Sequence, residues 1–240
     1  MNKLLTADII RIFKGKSFYY GLFFSTLLAM FFVFINKSSN DFIGIPDSSA
    51  LMILPFFTGA VIALKISSEF TSGVIRNKLI MGHSRIKIIF SWSICALIIT
   101  LLFYIFFEAG TFSFAYLLSY NLSHLETKLV IKNLLLIGIL LLSNVFFIIL
   151  ICVIYEDTKS IVLMFLFEYA LLFISSMGGE LFSDNKTAQL LLRFFPLGQL
   201  TVLSVTKAPD RPWLTIICAL STSIIMLVTT LAYFRKHDMK

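Results

Sequence analysis

The chain has 240 residues, of which 58% are hydrophobic and only 14% are charged, and its mean hydropathy is +0.93. Soluble domains carry about 45–50% apolar and about 25% charged residues, so this composition excludes an ordinary water-soluble domain. A chain of this size could not hide so much apolar surface in one core, which indicates that hydrocarbon is the solvent for much of it.

Six apolar segments are long enough, or nearly so, to cross the roughly 30 Å hydrocarbon layer, which takes about 20 residues of helix. Charged residues are scarce within these segments and dense between them. The sequence therefore predicts an all-α integral membrane protein with one transmembrane domain, residues 1–240, and six transmembrane helices. The spans are expected at about 18–35, 50–66, 89–110, 132–154, 160–177 and 213–234.

The basic residues predict the orientation, because Lys and Arg near helix ends favour the cytoplasmic side. With six spans, the face that carries both termini has 13 of the 20 Lys and Arg residues. An even number of spans also requires both termini to lie on one side. We therefore expect a multi-pass protein of the cell membrane with both termini in the cytoplasm.

Residues 3–16 are too polar to span a membrane but have the period of an amphipathic helix. One face is apolar and the other charged: Leu5, Ile9, Ile12 and Phe13 against Lys3, Asp8, Arg11 and Lys14. The pattern favours a helix lying in the cytoplasmic interface, with its cations near anionic head groups. A charged lead-in to the first span is the alternative.

The second connection, about 67–88, is long for an internal loop, and its apolar residues fall on two stripes. Phe70, Val74 and Met81 form one stripe, whereas Ile75 and Leu79 form the other. A helix lying on a bilayer needs only one apolar face. Two stripes suggest a helix held between the membrane part and another protein, although a surface loop with cations is an open alternative.

The fifth connection, about 178–212, carries an apolar run that ends at Phe195 and Pro196 and is followed by Gly198. Proline and glycine break a helix there, and the pieces are too short to span. Short re-entrant helices in the outer leaflet would satisfy the backbone, and a plain extracellular loop is the alternative.

Two acids interrupt the spans, and a charge at the bilayer centre costs at least about 2.5–3.5 kcal/mol. Glu108 falls near the outer end of the third span, and Glu168 falls close to mid-membrane in the fifth. Both are candidates for a substrate path or gate, together with Phe195 and Pro196. The alternative for Glu168 is a protonated or hydrogen-bonded carboxyl that packs helices together.

No enzyme chemistry is expected. Gly15, Lys16 and Ser17 look like the end of a phosphate-binding loop, but Ile10 stands where that loop needs a glycine. The cysteines lie in apolar runs and the histidines lack companion ligands, so no metal is expected. A membrane-embedded enzyme would need His, Asp or Glu clustered at one depth, and these are missing.

The stretch from Glu69 to Arg85 resembles the E-F-x-x-G-x-I-R-N-K-L-x-x-G-x-S-R segment of ABC-2 type transporter permeases from low-GC Gram-positive bacteria. The similarity extends over the chain, through Leu4–Ser17, the six-span plan and Phe195–Gln199, but only the second connection is specific. The resemblance implies an elbow-like interfacial helix at the amino terminus and a coupling helix that docks on a separate ATPase. By resemblance, the coupling residues are Glu69, Phe70, Gly73, Arg76, Asn77, Lys78, Gly82, His83 and Arg85.

Within that family, the chain resembles lantibiotic and bacitracin self-protection exporters and exporters of phenol-soluble modulin peptides. The resemblance implies a permease subunit that exports amphipathic or antimicrobial-type peptides with an ATPase subunit and a second permease chain, identical or not. No cofactor is expected in this chain, since ATP and Mg would bind the partner; lipid is an expected contact and nucleic acid is not. The alternatives are a peptide-sensing or immunity subunit without transport, and an ion-driven secondary transporter, which predicts buried charge pairs or helices broken at midplane.

Overall fold

The computed structural model describes residues 2–35, 48–118, 127–181, 194–200 and 212–236, which contain helices and no strand. We number the long and short helices in chain order, and residues 196–200 add a single helical turn. The helices are α1 (Asn2–Lys14), α2 (Lys16–Ile35), α3 (Ser48–Thr71), α4 (Val74–Ile80), α5 (Arg85–Leu117), α6 (Thr127–Tyr155), α7 (Lys159–Leu181) and α8 (Pro212–Lys236).

Five helical segments are long and apolar enough to cross a membrane, which confirms the prediction of an all-helical, multi-pass membrane protein. They are Lys16–Ile35, Met52–Thr71, Arg85–Leu117, Val130–Tyr155 and Pro212–Lys236. Helix α7 covers the predicted span 160–177 and has 23 residues, but it is not one of the five. The sixth span therefore stays a prediction.

Several helices extend beyond the predicted spans, and α5 does so most. It has 33 residues, whereas the apolar stretch predicts only 89–110. At a rise of about 1.5 Å per residue this helix is roughly 50 Å long, which exceeds the roughly 30 Å hydrocarbon layer. Its polar first turn, with Arg85 and Lys87, therefore projects past the apolar part of the chain.

The helices pack as a bundle in which α2 lies on α5, α3 on α7 and α6, and α8 on α6. Small residues permit the close approaches. At Gly21 of α2, an added Cβ would lie 2.8 Å from Val61 and 2.9 Å from Phe103. Such small residues at helix contacts are typical of membrane bundles, where packing rather than water expulsion holds helices together.

The outer faces of α2 and α8 carry large apolar side chains without cover. Phe23 and Phe34 on α2 and Ile217 and Ile224 on α8 are each between 57% and 62% exposed. In water such faces would be costly, whereas hydrocarbon solvates them without penalty. Their position agrees with the membrane-embedded character of these two helices.

Helix α1 is confirmed as a helix over Asn2–Lys14, but its faces differ from the predicted ones. Asp8 is fully buried together with Leu4 and Ile12, four residues to either side. Periodicity predicts Asp8 on the face of the exposed cations, and that prediction is wrong because Asp8 pairs with the buried ammonium group of Lys78. The interfacial placement of α1 stays a prediction.

Within the predicted re-entrant region, the described part is residues 194–200. Pro196 and Leu197 are buried, and the ring of Phe195 lies 6.4 Å from that of Phe147 on α6. The rest of the predicted re-entrant segment lies outside the described residues.

Candidate functional site

The second connection folds as the short helix α4, and two glycines set its ends. Gly73 and Gly82 have φ of +70° and +82°, a left-handed conformation that L side chains adopt only with strain. After α4, the Gly82 N–H donates to the Leu79 carbonyl (2.9 Å) and the His83 N–H donates to the Lys78 carbonyl (3.1 Å). This pair of bonds is a Schellman motif, so the glycines of this stretch define where α4 begins and ends.

The carboxyl end of the connection is joined to the last helix. Ser84 caps α5 by accepting the Lys87 N–H at 3.4 Å. The Arg85 guanidinium donates to the carbonyl oxygens of Phe234 (2.9 Å) and Arg235 (3.0 Å) at the end of α8. Because the last carbonyls of a helix lack partners within it, Arg85 both satisfies and anchors that end of α8.

Lys78 points from α4 into the protein, and its side chain is only 5% exposed. Its Nζ donates to both carboxylate oxygens of Asp8, at 2.9 and 3.0 Å, and to Oε2 of Glu69 at 2.7 Å. These bonds occupy the three donors of the ammonium group. Ser91 of α5 adds a hydrogen bond from its hydroxyl to Asp8 Oδ2 at 2.7 Å.

Glu69, near the end of α3, is held from several sides. Its Oε2 also accepts the indole N–H of Trp92 at 2.8 Å, and its Oε1 lies 3.3 Å from Arg11 Nη1 and 3.6 Å from Lys65 Nζ. The Lys65 ammonium donates in turn to the main-chain carbonyl of Asp8 at 3.2 Å.

We call Asp8, Glu69 and Lys78, with their partners, the ion cluster. Its four most buried charges balance, with two carboxylates against Lys78 and Lys65, while Arg11 is half exposed. Each carboxylate oxygen of Asp8 and Glu69 has a cation or donor within 3.6 Å. The cluster joins α1, α3, α4 and α5, and its saturation offsets the cost of removing these charges from water.

Aromatic contacts extend the same junction to α8. The ring of Trp92 lies 5.6 Å from that of Phe70 and 5.7 Å from that of Phe234. Phe70 and Phe234 meet edge to face at 6.4 Å. Helix α4 is therefore tied to α1 through charges, while aromatic packing and Arg85 tie the flanking helices α3 and α5 to α8.

The opposite side of α4 faces outward. Ile80 and Met81 are 75% and 68% exposed, and Arg76 and Asn77 are exposed beside them. We call Arg76, Asn77, Ile80 and Met81 the outer face of α4. It combines a cation, an amide and two exposed apolar side chains.

The nine residues assigned to ATPase coupling by resemblance thus divide by position. Glu69 and Lys78 are buried, Phe70 is packed against Trp92 and Phe234, and Arg76 and Asn77 are exposed. Of the remaining four, Gly73, Gly82 and His83 lie in the turns on either side of α4, and Arg85 is the first residue of α5 and donates to the end of α8.

Six residues of this junction were not predicted as site residues from the sequence: Asp8, Arg11, Lys65, Ser91, Trp92 and Phe234. A signal was present for Asp8, since it is the sole acid among the cations of residues 3–16. Apart from Lys65, which precedes Glu69 by one helical turn, nothing local marks the others, because their partners are distant in sequence.

Glu168, one of the predicted path residues, is buried where α3, α6 and α7 meet. Its Oε1 accepts the Asn144 amide at 2.9 Å, and its Oε2 has no hydrogen-bond partner within the described part of the chain. Gly59 of α3 makes room for it: an added Cβ would lie 2.7 Å from Met164 Sδ and 3.3 Å from Glu168 Oε1. The Asn144 bond is what helix packing requires, while the open oxygen is what a path or gate would use, so both interpretations stand.

Phe195, another predicted path residue, lies close to Glu168. Phe195 lies against Phe147, whose ring stacks at 6.2 Å on Phe167, the chain neighbour of Glu168. Phe195 and Glu168 thus share one region of the bundle.

Glu108 is buried separately, on α5. The polar group next to it is the hydroxyl of Tyr104, which donates to the Leu134 carbonyl at 2.8 Å. Both oxygens of Glu108 are left without a hydrogen-bond partner among the described residues. Glu108 is therefore a buried acid that contacts neither the ion cluster nor Glu168 through any hydrogen bond or ion pair in that part of the chain.

Among the described residues, no three His, Cys, Asp or Glu side chains are grouped as a metal site would require. The chain matches no protein-family model, and no curated protein is similar enough to it to count as a match.

Proposed function

We propose that the chain is the transmembrane permease subunit of an ATP-driven exporter, and that α4 is the element on which a separate ATPase subunit acts. One observation carries the proposal: α4 is anchored on one side by the ion cluster and bare on the other. Lys78 lies in the interior, while Ile80, two residues later, is 75% exposed.

The two sides of α4 suit the transmission of force. An element that is pushed by a partner must be rigidly attached to the body it moves, and the ion cluster and Arg85 supply such attachments. Apolar side chains as bare as Ile80 and Met81 are buried favourably by a protein partner. The similarity of Glu69–Arg85 to the coupling segment of ABC-2 permeases supports the same role.

The proposed assembly has two permease chains and two ATPase subunits, with ATP and Mg bound to the ATPases. In it this chain has six spans, both termini in the cytoplasm, and α1 in the inner interface as an elbow helix. The basic residues near α1 and α4 support this orientation in the cell membrane. ATP-driven closure of the ATPase dimer would displace α4 and rock the spans.

The proposed substrate is an amphipathic or antimicrobial-type peptide, and this rests on the resemblance alone. The candidate path or gate residues are Phe195 and Glu168, which share one region of the bundle, and Glu108 on α5. Residues 185–206 are proposed as re-entrant, which the buried position of Pro196 and Leu197 supports.

Co-purification tests the docking role. We expect an ATP-binding cassette ATPase to be encoded beside this chain. That ATPase should co-purify with the wild-type chain in detergent and hydrolyse ATP faster in its presence. The double variant Arg76→Glu, Ile80→Asp should lose both effects. Lys159→Glu, a charge reversal at an exposed position on the first residue of α7, serves as the control and should keep both. Unchanged binding and activation by the double variant would contradict the docking role.

Export is tested separately from docking. Cells with the chain and its ATPase should resist added amphipathic peptide and expel a fluorescent one, and a hydrolysis-deficient ATPase should abolish both. Resistance that persists without hydrolysis would instead support a peptide-sensing or immunity subunit. The ion cluster contains buried charge pairs, which the secondary-transporter alternative predicts. Efflux that follows the ion gradient without the ATPase would therefore support that alternative.

A further inference from the structure

The ion cluster has a geometry that its contribution to stability does not explain. Asp8, Glu69 and Lys78 are each under 5% exposed and come from three different helices. Removing three charges from water is costly, and even a fully satisfied buried ion network is often no more stable than apolar residues of the same volume. Such a network instead provides structural specificity, because its hydrogen bonds are satisfied in only one arrangement of the side chains.

The ion cluster fixes the rotation of α4 about its helix axis. Successive residues of a helix are about 100° apart, so Arg76 and Ile80 each point roughly 160° away from Lys78. Lys78 uses its three donors on two carboxylates from two helices. Holding Lys78 inward therefore holds Arg76 and Ile80 outward, on the outer face of α4.

The hydrogen bonds of Lys78 connect α4 mainly to α1. Helix α1 supplies Asp8, whose side chain bonds Lys78 and Ser91 and whose carbonyl accepts from Lys65. Arg11, one turn later, contacts Glu69. Because a single residue, Gly15, separates α1 from α2, a displacement of α1 reaches a membrane-spanning helix at once.

We propose that Lys78 is a positioning residue that fixes the outer face of α4 toward its partner and ties α4 to α1, so that α1 is the first helix to move with it. That α1 moves with α4 when a partner acts (the mechanical claim) rests on the proposed function. That Lys78 fixes the position of α4 relative to α1 (the positional claim) can be measured without any partner. The chemistry of the contact is one ammonium shared by two carboxylates.

Spin labels at Ala7 on α1 and Asn77 on α4, both exposed, report the positional claim in lipid nanodiscs. In the wild-type chain their distance distribution should be narrow. In Lys78→Met, which leaves two carboxylates without their shared cation, it should broaden, and in Lys78→Arg, which keeps the charge, it should stay narrow. A Lys78→Met distribution as narrow as that of the wild type overturns the inference.

ATP hydrolysis by the proposed ATPase partner tests whether Lys78 passes movement of α4 on to α1. Lys78→Met should still bind the ATPase, because Arg76 and Ile80 are intact, but should lose most of the stimulation of hydrolysis that the wild-type chain gives. Lys78→Arg should restore stimulation. Full stimulation by Lys78→Met overturns the mechanical claim. A wild-type chain that binds no ATPase defeats the proposed function instead, while the label distances still decide the positional claim.

A second variant covers the case in which Lys78→Met does not fold. The triple change Asp8→Leu, Glu69→Met, Lys78→Met replaces the buried charges with apolar groups and leaves Arg76 and Ile80 unchanged. We expect it to fold better than Lys78→Met, yet to show broad label distances and poor stimulation. A triple variant that couples like the wild type overturns the inference. So does one that folds no better than the single variant, since the cluster would then be needed for stability itself.

Discussion

Among the described residues, carboxyl groups are buried both in the ion cluster and in the interior of the bundle, and their pairing differs between the two. In the ion cluster beside α4, the carboxylates of Asp8 and Glu69 have a cation or donor at every oxygen. In the interior of the bundle, Glu168 has one amide bond and one open oxygen, and both oxygens of Glu108 are open among the described residues. The four carboxyl groups are all buried, but only those of Asp8 and Glu69 have a hydrogen-bond or ion-pair partner at both oxygens among the described residues.

The difference separates two uses of a buried acid. A saturated carboxylate holds helices in one arrangement, so its loss should disturb the structure. A carboxyl that faces no cation in the described part of the chain contributes little to the structure through its charge, which leaves it free for a path or a gate. The comparison predicts that the same substitution will have different effects in the two regions.

Glu69→Gln and Glu168→Gln should show the largest contrast. The first removes the charge on which Lys78, Arg11 and Lys65 converge, and should lower the free energy of unfolding by about 3 kcal/mol. The second keeps a polar group beside Asn144 and should cost about 1 kcal/mol or less. SDS-driven unfolding in mixed micelles measures both, and equal losses would remove the distinction between the regions.

Trp92→Phe should have the next largest effect. It keeps an aromatic ring beside Phe70 and Phe234 but removes the N–H bonded to Glu69 Oε2. Hydrogen bonds to charged groups contribute about 1.5–3 kcal/mol, so a loss of about 2 kcal/mol is expected. Trp213→Phe, at a residue more than half exposed on α8, is the control and should unfold like the wild type in the same titration. A cost shared by both variants would point to the ring and not to the hydrogen bond.

Ser91→Ala and Ser93→Ala form a closely matched pair. Both hydroxyls are buried on α5, but Ser91 donates to Asp8 at 2.7 Å, whereas Ser93 donates to the carbonyl of Ile89 within its own helix. We expect Ser91→Ala to cost about 1.5 kcal/mol and Ser93→Ala less than about 0.5 kcal/mol. The midpoints of SDS unfolding would decide, and a reversed order would show that Ser91 does not belong to the cluster.

The smallest effect is expected from the pair Asn144 and Glu168. A double-mutant cycle with Asn144→Leu and Glu168→Gln should give a coupling of about 0.6 kcal/mol, the usual value for polar contacts between membrane helices. A coupling as large as that of the ion cluster would make Glu168 a structural residue like Glu69. A small coupling combined with slower peptide efflux in Glu168→Gln would favour the path or gate.

Hydropathy made much of the fold predictable, because it acts locally. The apolar runs located the spanning helices, and the chain folds as α4 within the second connection, whose glycines adopt the left-handed turns. Helix ends were less predictable: α5 continues to Leu117 because the hydropathy pattern marks the hydrocarbon layer and not the last hydrogen-bonded turn.

The ion cluster could not be predicted because it depends on contacts between distant residues. Lys78 and Asp8 are 70 positions apart, and each looks like a surface residue in its own helix. Only their pairing makes burial favourable, so periodicity placed Asp8 on the wrong face of α1. Glu108 and Glu168 were noticeable from sequence because single acids stand out in apolar spans, but the Asn144 partner of Glu168 was not.

The most direct test of the central claim is photo-crosslinking from the outer face of α4. Benzoylphenylalanine placed at Ile80 should crosslink to the proposed ATPase partner in cells that produce both proteins. At Ile224, which is also more than half exposed but lies on α8, it should not. Crosslinks from Ile80 alone would support α4 as the docking element. Crosslinks from neither position, or from Ile224 and not Ile80, would contradict it.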